Sequence, residues 1–94
     1  MLRVLHLSLK AEFFNAIRAG TKDREYRLVT PYWTKRLVGR EYDRIELTLG
    51  YPARDDQECR ISRPWRGFTQ STICHPHFGQ HSVWVFAIDV SAAP

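Results

Sequence analysis

Three charged residues stand close together early in the chain and could do chemistry on a ligand: Lys22, Glu25 and Arg27. Lys22 offers a cation to a phosphate group, or a base once it has lost its proton. Glu25 and Arg27 are two residues apart, so on a strand they project from one face and can form an ion pair that fixes the guanidinium group. A purely structural ion pair beside a solvated lysine is the alternative, because charged pairs are common on strand faces.

Arginine dominates the basic residues, accounting for 11 of the 14, and aromatic residues lie among them. A planar guanidinium group suits phosphates and base edges, and an aromatic ring offers a stacking face to an unpaired base. The pattern therefore predicts single-stranded RNA rather than duplex DNA as the partner. In the alternative interpretation Trp33 and Trp65 belong to the core and the arginines only solubilise the protein. The residues expected to bind RNA or a nucleotide are Lys22, Arg24, Arg27, Trp33, Arg36 and Arg66.

A cysteine and three histidines lie within eight residues of one another: Cys74, His75, His77 and His81. The group is a candidate zinc site, but structural zinc sites pair their ligands at two separated positions, and Cys59 would have to supply the remote ligand. A His-Pro-His turn that lines the ligand cleft is the preferred interpretation, with His77 or His75 as a general acid near neutral pH. We therefore predict no metal site and no other cofactor.

Short strands and helices must position these residues. Leucines alternate in residues 4–9, and the apolar residues of 10–19 recur at helical spacing before Gly20, a typical helix end. Residues 44–49 alternate again, and 83–90 is apolar on both faces, as a central strand should be. The predicted order is a strand at 4–9, a helix at 10–19, a strand at 24–29, a short helix at 32–38, and strands at 44–49, 58–62, 68–74 and 83–90.

The length of 94 residues and the number of elements predict one small domain of the α+β class over residues 1–94. Five to six strands with one main helix and a short second helix are easier to close into a β-barrel than to leave as an open sheet with exposed edges. A hydrophobic content of 44% beside 26% charged residues provides enough apolar surface for a folded core.

Charge and cysteine usage indicate where such a domain would work. The formal net charge of +4 agrees with a polyanionic partner. Two cysteines do not make the disulfide framework of a secreted scaffold, so both are expected to be reduced. The opening apolar run is broken by His6, Ser8 and Lys10, so we expect neither a signal peptide nor a membrane span. These features predict a cytoplasmic protein, and a monomer is favoured.

The segment 20–27 matches the pattern G-x-K-x-x-E-x-R just after a helix and running into a strand. In this the chain resembles the ASCH family, whose signature is that string in that position. The resemblance extends from the opening L-x-L-x-x-K pattern to the last strand, and the blocks at 50–52, 64–67 and 75–79 are similar to those of a short bacterial and phage-borne branch. It implies a PUA-like β-barrel whose cleft, between barrel and helix, binds RNA or modified nucleotides.

Three functions follow from the residues and the resemblance. The first is a binding module for RNA or a modified nucleotide, built on Lys22, Arg27 and an aromatic platform. The second is a metal-independent ribonuclease in which Lys22 stabilises the charge on phosphate and Glu25 or His77 moves protons. The third is an amidohydrolase for N-acetylated cytidine, as the resemblance implies for some small members. Those members have a threonine where Glu25 stands here and a later glutamate, whereas no glutamate follows Glu58, so this function ranks last.

Overall fold

Alternating leucines give the first strand one buried face, formed by Leu5, Leu7 and Leu9. The computed structural model describes residues 2–74 and 81–92. It has an α+β fold with six strands and two helices, in the order that the sequence predicts, and the bounds differ by a few residues. The elements are β1 Val4–Leu9, α1 Ala11–Ala19, β2 Arg24–Leu28, α2 Pro31–Leu37, β3 Arg44–Leu49, β4 Arg60–Pro64, β5 Phe68–Ile73 and β6 Val83–Asp89, with a 3-10 turn at Gln57–Cys59.

The six strands form two three-stranded sheets. In the first, the strand order is β1-β3-β4, with β1 and β3 parallel and β3 and β4 antiparallel. In the second, the order is β2-β6-β5 and both pairings are antiparallel. Apolar residues of both sheets pack together in one core, which includes Leu7, Leu47, Phe86 and Ile88. The predicted alternation in β3 is confirmed, because Ile45 and Leu47 are buried.

Besides the shared core, two arginine side chains connect the sheets, which no strand pairing joins in the described residues. In the part of the chain that the structure describes, no closed barrel is found, since the sheet pairings stop at three strands each. Arg27 of β2 donates from Nη2 to the carbonyl oxygen of Ser8 in β1, at 3.1 Å. Arg63 of β4 donates to the carbonyl oxygens of Val90, at 3.2 Å, and Ile17, at 3.3 Å. Arg27 and Arg63 thus add hydrogen bonds between the two sheets, and Arg63 also ties β4 to α1.

The end of α1 positions Lys22, the first of the candidate site residues. Phe14 and Ile17 bury one face of this helix, and Gly20 ends it in the left-handed region at φ 82°, where glycine pays no Cβ penalty. The amide of Lys22 then bonds back to the carbonyl oxygen of Ala16, at 3.2 Å. The chain turns directly from α1 into β2, and Lys22 lies in this turn.

The second helix positions two aromatic rings in contact with each other, those of Tyr32 and Trp33. Thr30 caps α2 by accepting a hydrogen bond from the amide of Trp33, at 3.3 Å, and Pro31 occupies the first turn, where its missing N–H costs nothing. Leu37 is fully buried and anchors the helix to the core. Trp33 is half-buried and packs against that core from outside. Among the described residues, no helix is both long and apolar enough to cross a membrane.

Candidate functional site

A cleft of about 800 Å³ is lined by residues of β1 from the first sheet and of β2 from the second. The start of α1, the start of α2 and the turn after β3 complete its wall, through Lys10, Trp33 and Tyr51 among others. A volume of this size lies within the usual range for sites that bind a small ligand or a nucleotide.

Glu25 is the centre of the cleft's charged cluster. Its carboxylate is buried, with only 4% of the residue exposed. Oε1 lies 3.8 Å from Nζ of Lys22, and Oε2 accepts a hydrogen bond from Nη1 of Arg27. The predicted ion pair between Glu25 and Arg27 therefore forms. Because both carboxylate oxygens face a cation, Glu25 holds the two basic groups in place.

Aromatic rings fix the same two cations from the other side. Nζ of Lys22 lies 4.8 Å from the ring centroid of Tyr26 and 5.3 Å from that of Phe13. Cζ of Arg27 lies 5.3 Å from the ring centroid of Trp33. The side chains of Lys22 and Arg27 are only 16% and 19% exposed. Lys22 is thus held between a carboxylate and two ring faces and is not a freely solvated surface lysine.

The predicted binding residues divide into two groups. Lys22, Arg27 and Trp33 line the cleft. Arg36 stands next to it, with Cζ 4.1 Å from the ring centroid of Tyr32, a lining residue. Trp33 also packs on the core, as the alternative interpretation of this residue expects, and its role in RNA binding stays a prediction.

Arg24 and Arg66 lie outside the cleft, near Asp89. Arg24 is directly opposite Asp89 in the pairing of β2 with β6, and Nη1 lies 3.4 Å from Oδ1 of that carboxylate. Nη2 of Arg66 donates to the carbonyl oxygen of Ala92, at 3.3 Å. Burial raises the pKa of Asp89, but hydrogen bonds from Ser91 and the two arginines outweigh it, so this pKa lies below its ordinary value. Both arginines therefore belong to a separate charged cluster.

The cleft is also lined by residues outside the set that the sequence predicts to bind RNA. The outward face of the β1-β3-β4 sheet places His6 beside Glu46, and Nδ1 of the imidazole lies 3.4 Å from Oε2. Oε1 of Glu46 lies 3.6 Å from Nη1 of Arg60. His6 and Arg60 line the cleft. Strand alternation puts His6 and Glu46 on polar faces, but only the parallel pairing of β1 with β3 brings them together.

The histidine-rich segment falls largely outside the described residues. His75 and His77, and with them the predicted general acid, lie in the segment 75–80, which the structure does not describe. Cys74 and His81 are exposed on either side of it. Within residues 2–74 and 81–92, no group of three or more histidine, cysteine or acidic residues is placed to hold a metal ion.

Comparison with known proteins adds no relative to these observations. No family model, no curated protein and no solved structure matches this chain. The resemblance to the ASCH family therefore stays a prediction based on the residues 20–27 and their position between α1 and β2.

Proposed function

We propose that this chain binds single-stranded RNA or a nucleotide in the cleft around Lys22, Glu25 and Arg27, and that its fold is a variant of the PUA-like barrel of ASCH domains. The observation that carries the proposal is the buried carboxylate of Glu25, which holds two cations in a cleft large enough for a nucleotide. A site whose cations are already fixed loses little side-chain entropy on binding.

The charge of the cleft favours an anionic ligand. Among the described residues that line it, four are cations, namely Lys10, Lys22, Arg27 and Arg60. One lining residue, Glu25, is a carboxylate. The resulting excess of positive charge attracts phosphate groups, and this attraction weakens as salt screens it.

Exposed aromatic rings at the rim provide the second component of RNA recognition. Tyr51 lines the cleft in the turn after β3, and 95% of its surface is exposed. Tyr32 at the start of α2 is exposed as well. Rings in this position contribute little to the core, whereas stacking an unpaired base on such a ring contributes about 1–3 kcal/mol.

Fluorescence anisotropy with a labelled single-stranded RNA of about 10 nucleotides tests the proposal over a range of salt concentrations. Lys22→Met keeps the aliphatic stem but removes the charge, so it should weaken binding and reduce the slope of log K against log salt by about 0.7. Lys35→Met is the matched control, because Lys35 is exposed on α2 and does not line the cleft. Equal effects of the two substitutions, or no salt-dependent binding, would refute the proposal.

Two further arms separate the ways in which the cleft could be used. Tyr51→Leu should weaken RNA binding by about 1–3 kcal/mol without loss of stability, because its ring is exposed. Incubation with N-acetylcytidine tests the amidohydrolase. Turnover by the wild-type protein that is lost in Lys22→Met would identify that activity in place of simple binding.

A further inference from the structure

The polar face of the β1-β3-β4 sheet contributes His6 and Arg60 to the lining of the cleft, and Glu46 lies behind them in contact with both. His6 and Glu46 are direct neighbours in the parallel pairing of β1 with β3, and Nδ1 lies 3.4 Å from Oε2. Glu46 is fixed in turn by Arg60, at 3.6 Å. Arg60 donates from Nη2 to the carbonyl oxygen of Ala53, at 3.0 Å, which ties it to the turn after β3. The three side chains form a chain of contacts rather than isolated surface charges.

This arrangement suits a histidine that exchanges protons with a ligand. A carboxylate beside Nδ1 favours the tautomer with the proton on that nitrogen, and this leaves Nε2 as the ring nitrogen that can accept a proton. The side chain of His6 is 66% exposed, so a ligand in the cleft can reach it. Glu46 has no need to contact the ligand and acts as a positioning residue.

The same cleft brings this histidine together with a phosphate-binding set. His6, Lys22 and Arg27 line one cavity. If the proposed function is correct, an RNA phosphate held by Lys22 and Arg27 lies in a cavity that is also lined by an imidazole paired with a carboxylate. We infer that His6 is the general base of a ribonuclease activity that cleaves single-stranded RNA by transesterification. The inference rests on the proposed RNA binding and adds a reaction to it.

The reaction balances without a metal ion or an oxidant. Nε2 of His6 takes the proton of a ribose 2′-hydroxyl group, and the 2′-oxygen attacks the adjacent phosphorus. The bond from phosphorus to the 2′-oxygen forms and the bond to the 5′-oxygen breaks, while Lys22 compensates the added negative charge on the phosphoryl oxygens. The departing 5′-oxygen takes a proton from water, and His6 returns its proton to solvent. The products are a 2′,3′-cyclic phosphate and a 5′-hydroxyl end.

The test incubates end-labelled single-stranded RNA with the full chain in the presence of EDTA and separates the products on a gel. The wild-type protein should produce cyclic phosphate ends from RNA. It should leave a DNA oligonucleotide of the same sequence intact, because DNA lacks the 2′-hydroxyl group that attacks the phosphorus. His6→Gln retains a side-chain N–H for Glu46 but provides no proton acceptor, so cleavage should fall at least about 100-fold. Glu46→Gln should lower kcat and leave KM unchanged.

Anisotropy measurements on the same proteins distinguish this inference from the proposed function. His6→Gln should still show salt-dependent RNA binding, because Lys22, Arg27 and the aromatic rim remain in place. His81→Gln is the matched control and should cleave normally, because His81 is exposed and does not line the cleft. RNA binding without cleavage, or unchanged cleavage by His6→Gln, would overturn the inference and leave the binding function standing. Absence of both binding and cleavage would overturn the proposed function and this inference together.

Discussion

Replacing Glu25 by glutamine tests whether this buried carboxylate holds the cleft together. The substitution keeps the size of the side chain and removes its charge. Lys22 and Arg27 then lose their shared counter-ion, although their side chains are only 16% and 19% exposed. The amide can still accept one hydrogen bond from Arg27, but it cannot offer a charge to both cations.

The structure sets the expected size of the effect. Removing one partner of a fully buried ion pair costs about 3–5 kcal/mol, because the remaining charge is left without compensation. Here the remaining cations retain some contact with water, so the cost should be smaller, at about 2–3 kcal/mol. In a domain of this length that loss corresponds to a decrease in Tm of about 10–20 °C.

Thermal unfolding followed by circular dichroism at neutral pH measures this decrease. Glu41→Gln is the matched control, since Glu41 is exposed and its substitution should change stability by less than about 0.5 kcal/mol. The double variant with Lys22→Met removes one of the unpaired cations. It should be more stable than the sum of the two single effects predicts, by about 0.5–3 kcal/mol.

A decrease in Tm of less than about 2 °C for Glu25→Gln would refute the reasoning, because the penalty for two uncompensated cations would then be absent. Additive single and double variants would refute it as well. In that case Glu25 would not couple to Lys22, and the fixed geometry on which the proposed function depends would not exist.

Three other predictions test parts of the structure outside the cleft. Arg63→Lys should lower the free energy of unfolding by about 1–2 kcal/mol, because a single ammonium group cannot reproduce the guanidinium hydrogen bonds to Val90 and Ile17. Urea unfolding measures this loss, and Arg54→Lys is the control because Arg54 is exposed. Asp89→Asn should lower Tm at pH 7, and the difference from the wild type should vanish as the pH falls through the lowered pKa of Asp89, below its ordinary 3.8. A depressed folded-state pKa stabilises the fold only while the carboxylate is ionised, so a difference that persists at pH 2 would contradict this assignment. Cys59 should react with iodoacetamide at pH 8 more slowly than a model thiol peptide, because burial, with the Asp56 carboxylate, raises its pKa; mass spectrometry follows the modification, and an equal rate would contradict the prediction.

The separation of two charged clusters bears on how the protein surface is used. Arg24 and Arg66 surround Asp89, whereas Lys22 and Arg27 surround Glu25. Arg24 is only two residues from Lys22 along the chain, yet it pairs with a carboxylate in β6. A ligand in the cleft therefore meets the second cluster only if it extends well beyond the cavity. Substitution of Arg24 is a direct way to determine whether RNA reaches that far.

Local patterns in the sequence determined the elements and the first site. Alternating leucines define β1 and alternating apolar residues define β3, because a strand has one buried face. Helical spacing followed by Gly20 places the end of α1, and the two-residue spacing of Glu25 and Arg27 predicts their ion pair. Each of these inferences depends on contacts within a few residues, which a sequence displays directly.

Only the tertiary structure decided how the elements meet. Parallel pairing of β1 with β3 sets His6 beside Glu46, although 40 residues separate them in the chain, as the same register sets Leu7 beside Leu47. The number of short strands predicts a closed barrel, whereas the described strands form two sheets that Arg27 and Arg63 connect through hydrogen bonds to Ser8 and Val90. A long side chain can reach a distant carbonyl group from many directions, so its partner depends on the packing of the whole domain. The sequence alone identifies the cation at Lys22, whereas the pairing of β1 with β3 decides that His6, next to Glu46, lines the same cleft.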